Sequence, residues 1–262
     1  MRSILSIFKF VLIDNLRSFW VITYLLFIAI STYVLIYFTG SFSRAMVSIM
    51  NIVILLAPLV STMMTSMYYF NKTDFLYLLL SQPIKRTHAF LGMYLGVAIP
   101  LSMAAGLGLI LGMALSMKQV ESLETPMVLI LSGVLLSLIF SALSLFISLA
   151  SRDKLRGVGF ALFIWLFLAV IYDGLLLMYF IVFGEYPIEQ HAIILTLLNP
   201  IDLSRVFVML NLDVSALLGY SGAVFQKFFG NATGIVVSVL SLLIWTAAPL
   251  SGILFKAQRK DY

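Results

Sequence analysis

Hydrophobic residues form six long runs along the chain, and short polar stretches separate them. Each run approaches or exceeds the about 20 residues that an α-helix needs to cross the hydrocarbon core of a membrane. Helices are expected because isolated strands would leave backbone groups unpaired in lipid. The pattern predicts an all-α membrane protein with spans at residues 20–38, 46–70, 90–117, 126–150, 158–183 and 234–255.

The first 19 residues, MRSILSIFKFVLIDNLRSF, mix apolar and charged positions. Ile4, Phe8, Val11 and Leu12 have the spacing of one helical face. A cleavable signal peptide is not expected, because charges interrupt what would be its apolar core. The segment 1–19 is predicted to be an amphipathic elbow helix that lies in the membrane interface and leads into the first span.

Composition supports a membrane environment. The chain has 262 residues, of which 62% are hydrophobic and only 10% charged, and its mean hydropathy is +1.11. A soluble domain typically carries about 25% charged residues. The chain has no cysteine, which excludes disulfides, thiolate metal ligands and cysteine nucleophiles.

The cations predict the orientation. With an even number of spans both termini lie on the same side, and that side collects twelve of the 16 Lys and Arg residues. By the positive-inside rule it is cytoplasmic. The twelve are Arg2, Lys9, Arg17, Lys72, Lys85, Arg86, Arg152, Lys154, Arg156, Lys256, Arg259 and Lys260, and the other four are Arg44, Lys118, Arg205 and Lys227.

The cytoplasmic segment 71–89 separates the second and third spans. Its first part, TDFLYLLL, is predicted to be a short apolar helix, and Pro83 ends it because proline breaks a helix. Such a helix, held along the membrane face, indicates a docking element for a cytoplasmic partner. The alternative is an ordinary loop that carries positive-inside charge.

The longest predicted outer segment, residues 184–230, contains the sequence NPIDLSRVFVMLNLD. Asn199 is a favourable N-cap, Pro200 suits the first helical position, and Asp202 lies in the first turn, where the helix dipole favours an anion. A small helical extracytoplasmic region is therefore predicted.

Asp173 is the one carboxylate placed inside a predicted span. An ionised acid is costly in lipid, so it indicates a proton site or a gate. The alternative is a protonated or hydrogen-bonded acid that faces neighbouring helices. No Lys or Arg of a predicted span is available as its partner.

Catalytic motifs are absent: the sequence has no phosphate-binding G-x-x-x-x-G-K-[ST], no H-E-x-x-H and no G-x-S-x-G. His88 and His191 are predicted on opposite faces of the membrane. A non-catalytic chain that binds no metal or other cofactor itself is expected.

Two kinds of regular spacing concern the spans. The pairs Met63/Met67 and Met113/Met117 would suit Cu(I), but packing is the preferred interpretation because no Cys or His accompanies them at the same depth. Gly92 and Gly96, and Gly108 and Gly112, predict close approach of other helices to the third span. No internal repeat is evident.

An elbow helix, six spans and the segment DFLYLLLSQPIKRTHAFLGM together resemble the permeases of ABC-2 type transporters, as a single domain over residues 1–262. The stretches WLFLAVIYDGLLL and LLNPIDLSRVFVMLNLD are similar to the NosY-type permeases, which serve maturation of nitrous oxide reductase. This narrower resemblance falls on Trp165, Asp173, Asn199, Pro200, Asp202 and Arg205.

The resemblance implies a multi-pass subunit of the bacterial inner membrane. Its implied partners are a second copy of the chain, a cytoplasmic ATPase dimer that binds ATP and Mg²⁺, a periplasmic accessory protein and membrane lipid, but no nucleic acid. The predicted ATPase contacts are Leu79, Leu80, Pro83, Lys85 and Arg86. The predicted contacts with the outer partner are Asn199, Asp202 and Arg205.

Three alternatives stay open. An ABC-2 exporter subunit could carry another cargo, such as a lipid, a peptide or an ion. A secondary transporter or channel would need charged or discontinuous helices at the membrane midplane, and only Asp173 favours it. A structural membrane scaffold would show no ATPase activity when it is co-expressed with its neighbours.

Overall fold

A computed structural model describes residues 2–81, 84–116, 120, 123–183, 189–212 and 232–259. These residues are almost entirely helical and include no strand, so the predicted all-α fold is confirmed. In chain order the helices are α1 (Arg2–Leu16), α2 (Phe19–Phe38), α3 (Phe42–Asn71), α4 (Thr73–Leu80), α5 (Arg86–Leu115), α6 (Glu124–Ala150), α7 (Lys154–Leu166), a π-helical turn (Phe167–Ile171), α8 (Tyr172–Phe183), α9 (Glu189–Leu197), α10 (Pro200–Leu210) and α11 (Ala232–Arg259).

Six segments of the described chain are long and apolar enough to cross a membrane, and each overlaps one predicted span. Most begin earlier than the apolar runs do. The third, for example, begins at Arg86 instead of residue 90, because a helix continues through polar residues until its backbone is capped. The six are Phe19–Phe38, Phe42–Asn71, Arg86–Leu115, Glu124–Ala150, Lys154–Phe183 and Val236–Ala257.

Helices α3, α5 and α6 form the centre of the bundle and hold most of its buried side chains. Helices α3 and α6 run in the same direction. Ser66 and Ser148 share a hydrogen bond of 2.7 Å, and one turn earlier the Ser144 hydroxyl donates to the Thr62 carbonyl at 2.6 Å. These hydrogen bonds join two helices that apolar packing alone would hold only weakly in lipid.

Helix α1 packs on α5 through a face that shares Val11 with the predicted one and is shifted towards Ile7. Ile7, Val11 and Asn15 are buried, whereas Ile4, Phe8 and Leu12 are only partly buried. Position 15 can be buried because the Asn15 amide donates to the Val11 carbonyl at 2.9 Å, which satisfies one polar hydrogen within the helix. The predicted face named neither Ile7 nor Asn15.

Glycines of α5 bring two other helices close to its backbone, as the glycine spacing predicts. A Cβ atom on Gly96 would lie 2.5 Å from the Cβ atom of Val11 in α1. A Cβ atom on Gly112 would lie 2.5 Å from the Ala29 carbonyl oxygen in α2. Both contacts are closer than a side chain allows, so these glycines set the distance between the helices.

Two features depart from regular spans. The fifth span is interrupted by the π-helical turn between α7 and α8, where one continuous helix was predicted. Helices α9 and α10 meet at a bend of 115° and form a hairpin, called here the α9–α10 hairpin (residues 189–210). The predicted region 184–230 is described only over residues 189–212, and its second apolar segment lies outside the described residues.

The hairpin and α4 lie at opposite ends of the bundle. The Thr125 hydroxyl near the start of α6 donates to the Asn211 carbonyl that follows α10, at 2.9 Å. Helix α4 follows the other end of the parallel helix α3. Partner contacts are predicted for both α4 and the hairpin, and the length of α3 and α6 separates these two segments.

The substitution Gly96→Ala should lower stability. We expect a loss of about 1–3 kcal/mol, because the added methyl group must push α1 away from α5. The control is Gly159→Ala in α7, where an added Cβ meets nothing within 4 Å. That substitution should be neutral or raise stability, since alanine favours a helix over glycine. Thermal unfolding in detergent measures both, and equal effects would contradict the close packing of α1.

Candidate functional site

The break in the fifth span makes a backbone carbonyl available to another element. A π-helical turn shifts the hydrogen-bond ladder, and such turns are frequent at functional sites. Here the Leu168 carbonyl, within the turn, accepts a hydrogen bond of 2.8 Å from the Asn199 side-chain amide. The irregular part of the span is therefore bound directly to the start of α10.

Asn199 organises this contact. It is fully buried, and its side-chain oxygen accepts from the Ile201 backbone N–H at 3.0 Å, which caps α10 as predicted. Its amide group also donates to the Asp202 carboxylate at 2.9 Å. One side chain thus caps a helix, holds a neighbouring acid and contacts the fifth span.

Arg205 joins the hairpin to Asp173. Its Nη1 atom lies 2.6 Å from Asp173 Oδ2 and 3.2 Å from Asp202 Oδ1. The side chains of Arg205 and Asp173 are each 29% exposed, so water screens the pair only partly. From the sequence Asp173 had no cation in a predicted span to pair with, and the structure supplies Arg205 from α10.

The group contains two carboxyl groups, Asp173 and Asp202, but only one guanidinium, so the cation can balance the charge of only one of them. Burial of the Asp202 carboxyl, together with its hydrogen bond to Asp173 and the negative charge of Asp173, raises its pKa to about 8, although Arg205 and Asn199 act in the opposite direction. The charged form of Asp202 is therefore disfavoured within this group.

Additional hydrogen bonds fix the hairpin to its neighbours. The Tyr172 hydroxyl, at the start of α8, donates to the Leu195 carbonyl of α9 at 2.7 Å. Ser241 of α11 donates to the Leu197 carbonyl at 2.8 Å. The hairpin is thus attached to the fifth and sixth spans and to α6, so these elements can move together. We call Asp173, Asn199, Asp202 and Arg205 the polar latch.

Helix α4, at the other end, presents a different face from the one predicted for docking. Asp74, Tyr77, Leu78 and Ser81 follow the i, i+3, i+4, i+7 spacing of one face and are exposed, with Leu78 at 69%. Leu76 is buried, and Leu79 and Leu80 pack against the core of the bundle. A partner that docks on α4 therefore meets Tyr77 and Leu78 before it meets Leu79 and Leu80.

The remaining predicted docking residues follow α4. Lys85 is exposed at the N-cap of α5, and Arg86 is the first residue of that helix. Pro83 lies outside the described residues. ATPase contact by Leu79, Leu80, Pro83, Lys85 and Arg86 stays a prediction.

Comparison with known proteins agrees with this architecture. No protein-family model matches the chain. Over 257 residues it is 24% identical to the "Probable ABC transporter permease protein NosY" of Pseudomonas aeruginosa, and the match covers 92% of each chain. The chain is similar to an ABC transporter permease. This similarity extends over nearly the whole chain and confirms the resemblance to ABC transporter permeases.

Trp165, another residue on which the narrower resemblance falls, also joins helices. Its indole N–H donates to the Leu55 carbonyl of α3 at 3.3 Å. The fifth span is therefore attached to the centre of the bundle on one side of the π-helical turn and to the hairpin at the turn itself. Trp165 and Asn199 hold the irregular segment between them.

The structure gives two of the residues predicted for the outer partner internal roles. Asn199 and Asp202 are buried and bind within the chain, whereas Arg205 is partly exposed. Contact between an outer partner and these three residues stays a prediction. Since Asn199 and Asp202 are buried, such a partner would have to bind Arg205 or the surface around the group. One contact of this group could have been predicted from the sequence. Asp202 and Arg205 are three residues apart, so they lie one turn apart on the same helix face and can form an ion pair.

The ion pair predicts an energetic coupling between Asp173 and Arg205. We expect Asp173→Asn and Arg205→Gln each to destabilise the chain. The free energy of unfolding of the double variant should fall by about 1–3 kcal/mol less than the sum of the two single losses. The reason is that each single substitution already removes the same charged hydrogen bond. Thermal unfolding of the four proteins in detergent measures this cycle. Additive losses would show that the pair contributes no stability.

Asp202 predicts a dependence of stability on pH. Its folded-state pKa of about 8 lies above the about 3.9 of an unfolded aspartate, so the folded state binds the extra proton. This contribution to stability is present at low pH and is lost as the pH rises towards and through about 8. Asp202→Asn should weaken the fall in melting temperature over this range. Asp74→Asn, at an exposed position, is the control and should leave it unchanged.

Proposed function

We propose that this chain is the membrane-spanning, non-catalytic subunit of an ATP-driven ABC transporter complex in a bacterial inner membrane. In this proposal two copies pair, and a separate cytoplasmic ATPase dimer binds ATP with Mg²⁺ and hydrolyses it. Support comes from the similarity to an ABC transporter permease, the six candidate spans and the lack of a phosphate-binding motif in this sequence.

The observation that carries the proposal is the exposed face of α4. A short amphipathic helix whose apolar residues point away from the bundle suits a groove on a partner protein. Tyr77 and Leu78 form the apolar part of that face, while Leu76 anchors the helix from the opposite side. We therefore assign ATPase docking to Tyr77 and Leu78, and support of the helix to Leu79 and Leu80.

Movement of α4 has a direct route to the other end of the bundle. Helix α4 follows α3, which is hydrogen-bonded to the parallel helix α6 through Ser66 and Ser148. The start of α6 is in turn bonded to the residue after α10. ATP binding would bias a two-state arrangement of the two permease copies, and the hairpin would carry the change outward.

We further propose that the complex serves maturation of the copper–sulfur centres of nitrous oxide reductase, together with a periplasmic accessory protein. The support is the resemblance to NosY-type permeases at the polar latch and at Trp165. In the structure these residues join the fifth span, α3 and the hairpin. The positions that resemble NosY-type permeases are therefore connected to one another in space. The hairpin is then the proposed contact for the accessory protein.

Docking through α4 is tested by the substitution Leu78→Asp. A buried charge at the centre of an interface should cost at least about 2 kcal/mol of binding, or roughly 30-fold in affinity. Co-purification of the ATPase with the full chain should therefore be lost. The control is Leu115→Asp at the far end of the bundle, where the side chain is similarly exposed, at 72% against 69%. Intact co-purification of the Leu78→Asp variant would contradict docking through α4.

The cargo-level proposal is tested in a cell that makes nitrous oxide reductase. Loss of this chain should leave the reductase protein present but without its copper–sulfur centres, as measured by metal content and absorbance spectra. The Leu78→Asp variant should reproduce this loss, and Leu115→Asp should restore the centres. A fully loaded reductase in the deletion strain would assign the permease to another cargo.

A further inference from the structure

A groove of about 790 Å³ opens between α1, α2 and α3, beside the start of α4. This volume lies within the about 300–1,000 Å³ range of ligand pockets. The groove is polar at one end and apolar along the rest. Neither the proposed docking through α4 nor the polar latch uses it.

The polar end carries an excess of positive charge. Lys72 Nζ lies 3.0 Å from Asp14 Oδ2, and the Tyr68 hydroxyl donates to the same carboxylate oxygen at 3.1 Å. These contacts neutralise Asp14. Arg17 also lines this end and is exposed, and no ion pair found among the described residues includes it. One cation therefore remains available to an anion at the mouth of the groove.

The apolar part of the groove follows α3 into the membrane. Its wall includes Phe27 of α2 and Leu56, Leu59, Met63 and Met67 of α3. From Lys72 to Leu56 the helix rises about 24 Å, at about 1.5 Å per residue. One leaflet of the hydrocarbon core is about 15 Å thick, half of the whole, so an acyl chain fits along this wall. Methionine side chains adapt to such a flexible ligand.

We propose that this groove binds an anionic phospholipid of the surrounding membrane, with its phosphate at Arg17 and an acyl chain against the α3 wall. This occupant fits both parts of the groove, because its anionic headgroup matches the cationic end and its acyl chain matches the long apolar wall. A soluble anion would leave the wall uncovered, and a zwitterionic lipid would bring its own cationic headgroup beside Arg17 and Lys72, where it is repelled. The lipid also covers the junction of α1, α2 and α3, where the chain passes to α4.

The test compares lipids bound to the full chain after reconstitution in equal amounts of phosphatidylglycerol and phosphatidylcholine. Native mass spectrometry counts the lipids that remain bound. The wild-type chain should retain phosphatidylglycerol in preference. Arg17→Gln should reduce this preference about fivefold, the effect of one cation near an anionic membrane surface. Arg152→Gln removes an exposed charge that does not line the groove, and it should leave the preference unchanged.

A second variant separates the acyl-chain wall from the charge. Met63→Trp fills part of the groove and should reduce retention of both lipids, while Arg17→Gln affects only the choice between them. Equal retention of the two lipids by the wild-type chain would overturn the proposal, whether or not the variants fold. So would cross-linking between two copies through Met63→Cys, since the chain has no other cysteine and a second copy would then occupy the groove.

Discussion

The need to satisfy amide and charged groups inside an apolar solvent organises this bundle. A buried charge or amide without a partner costs several kcal/mol, so each one must lie where another element can reach it. Asn199, Asp202 and Arg205 meet this need jointly, and they do so by binding the fifth span. These bonds hold the hairpin against the fifth span. Hydroxyl groups cost less, and Ser61 and Ser141 lie buried without a hydrogen-bond partner among the described residues.

The same constraint connects the two ends of the protein. Helices α3 and α6 are held in register by hydroxyl hydrogen bonds, and each end of this pair is attached to a short helical element: α4 at one end and the hairpin at the other. Glycines of α5 bring α1 and α2 against the central helices at backbone distance. A rigid centre with an amphipathic helix at one end and a polar latch at the other suits a subunit that transmits movement.

Particular residues show how far the sequence predicts this arrangement. The Asn199 cap and Pro200 at the first helical position were predicted because capping depends only on neighbours in the chain. Docking through α4 was predicted at Leu79 and Leu80 and stays a prediction; the structure leaves both partly buried and exposes Tyr77 and Leu78 more fully. A segment that is apolar all round has no periodicity to indicate its outward face. The outward side of α4 is set by the helices behind it.

The sequence by itself determined the all-α membrane class, the six long apolar helices and the segments 71–89 and 184–230 that separate some of them. It could do so because membrane insertion depends on the length and hydrophobicity of contiguous residues. Only the tertiary structure decided that Arg205 pairs with Asp173, that Leu168 bonds to Asn199, and that Ile7, Val11 and Asn15 form the packed face of α1. These contacts join residues whose separation in the chain carries no periodic signal. Their partners are set by which helices can approach closely and which buried polar groups remain to be satisfied.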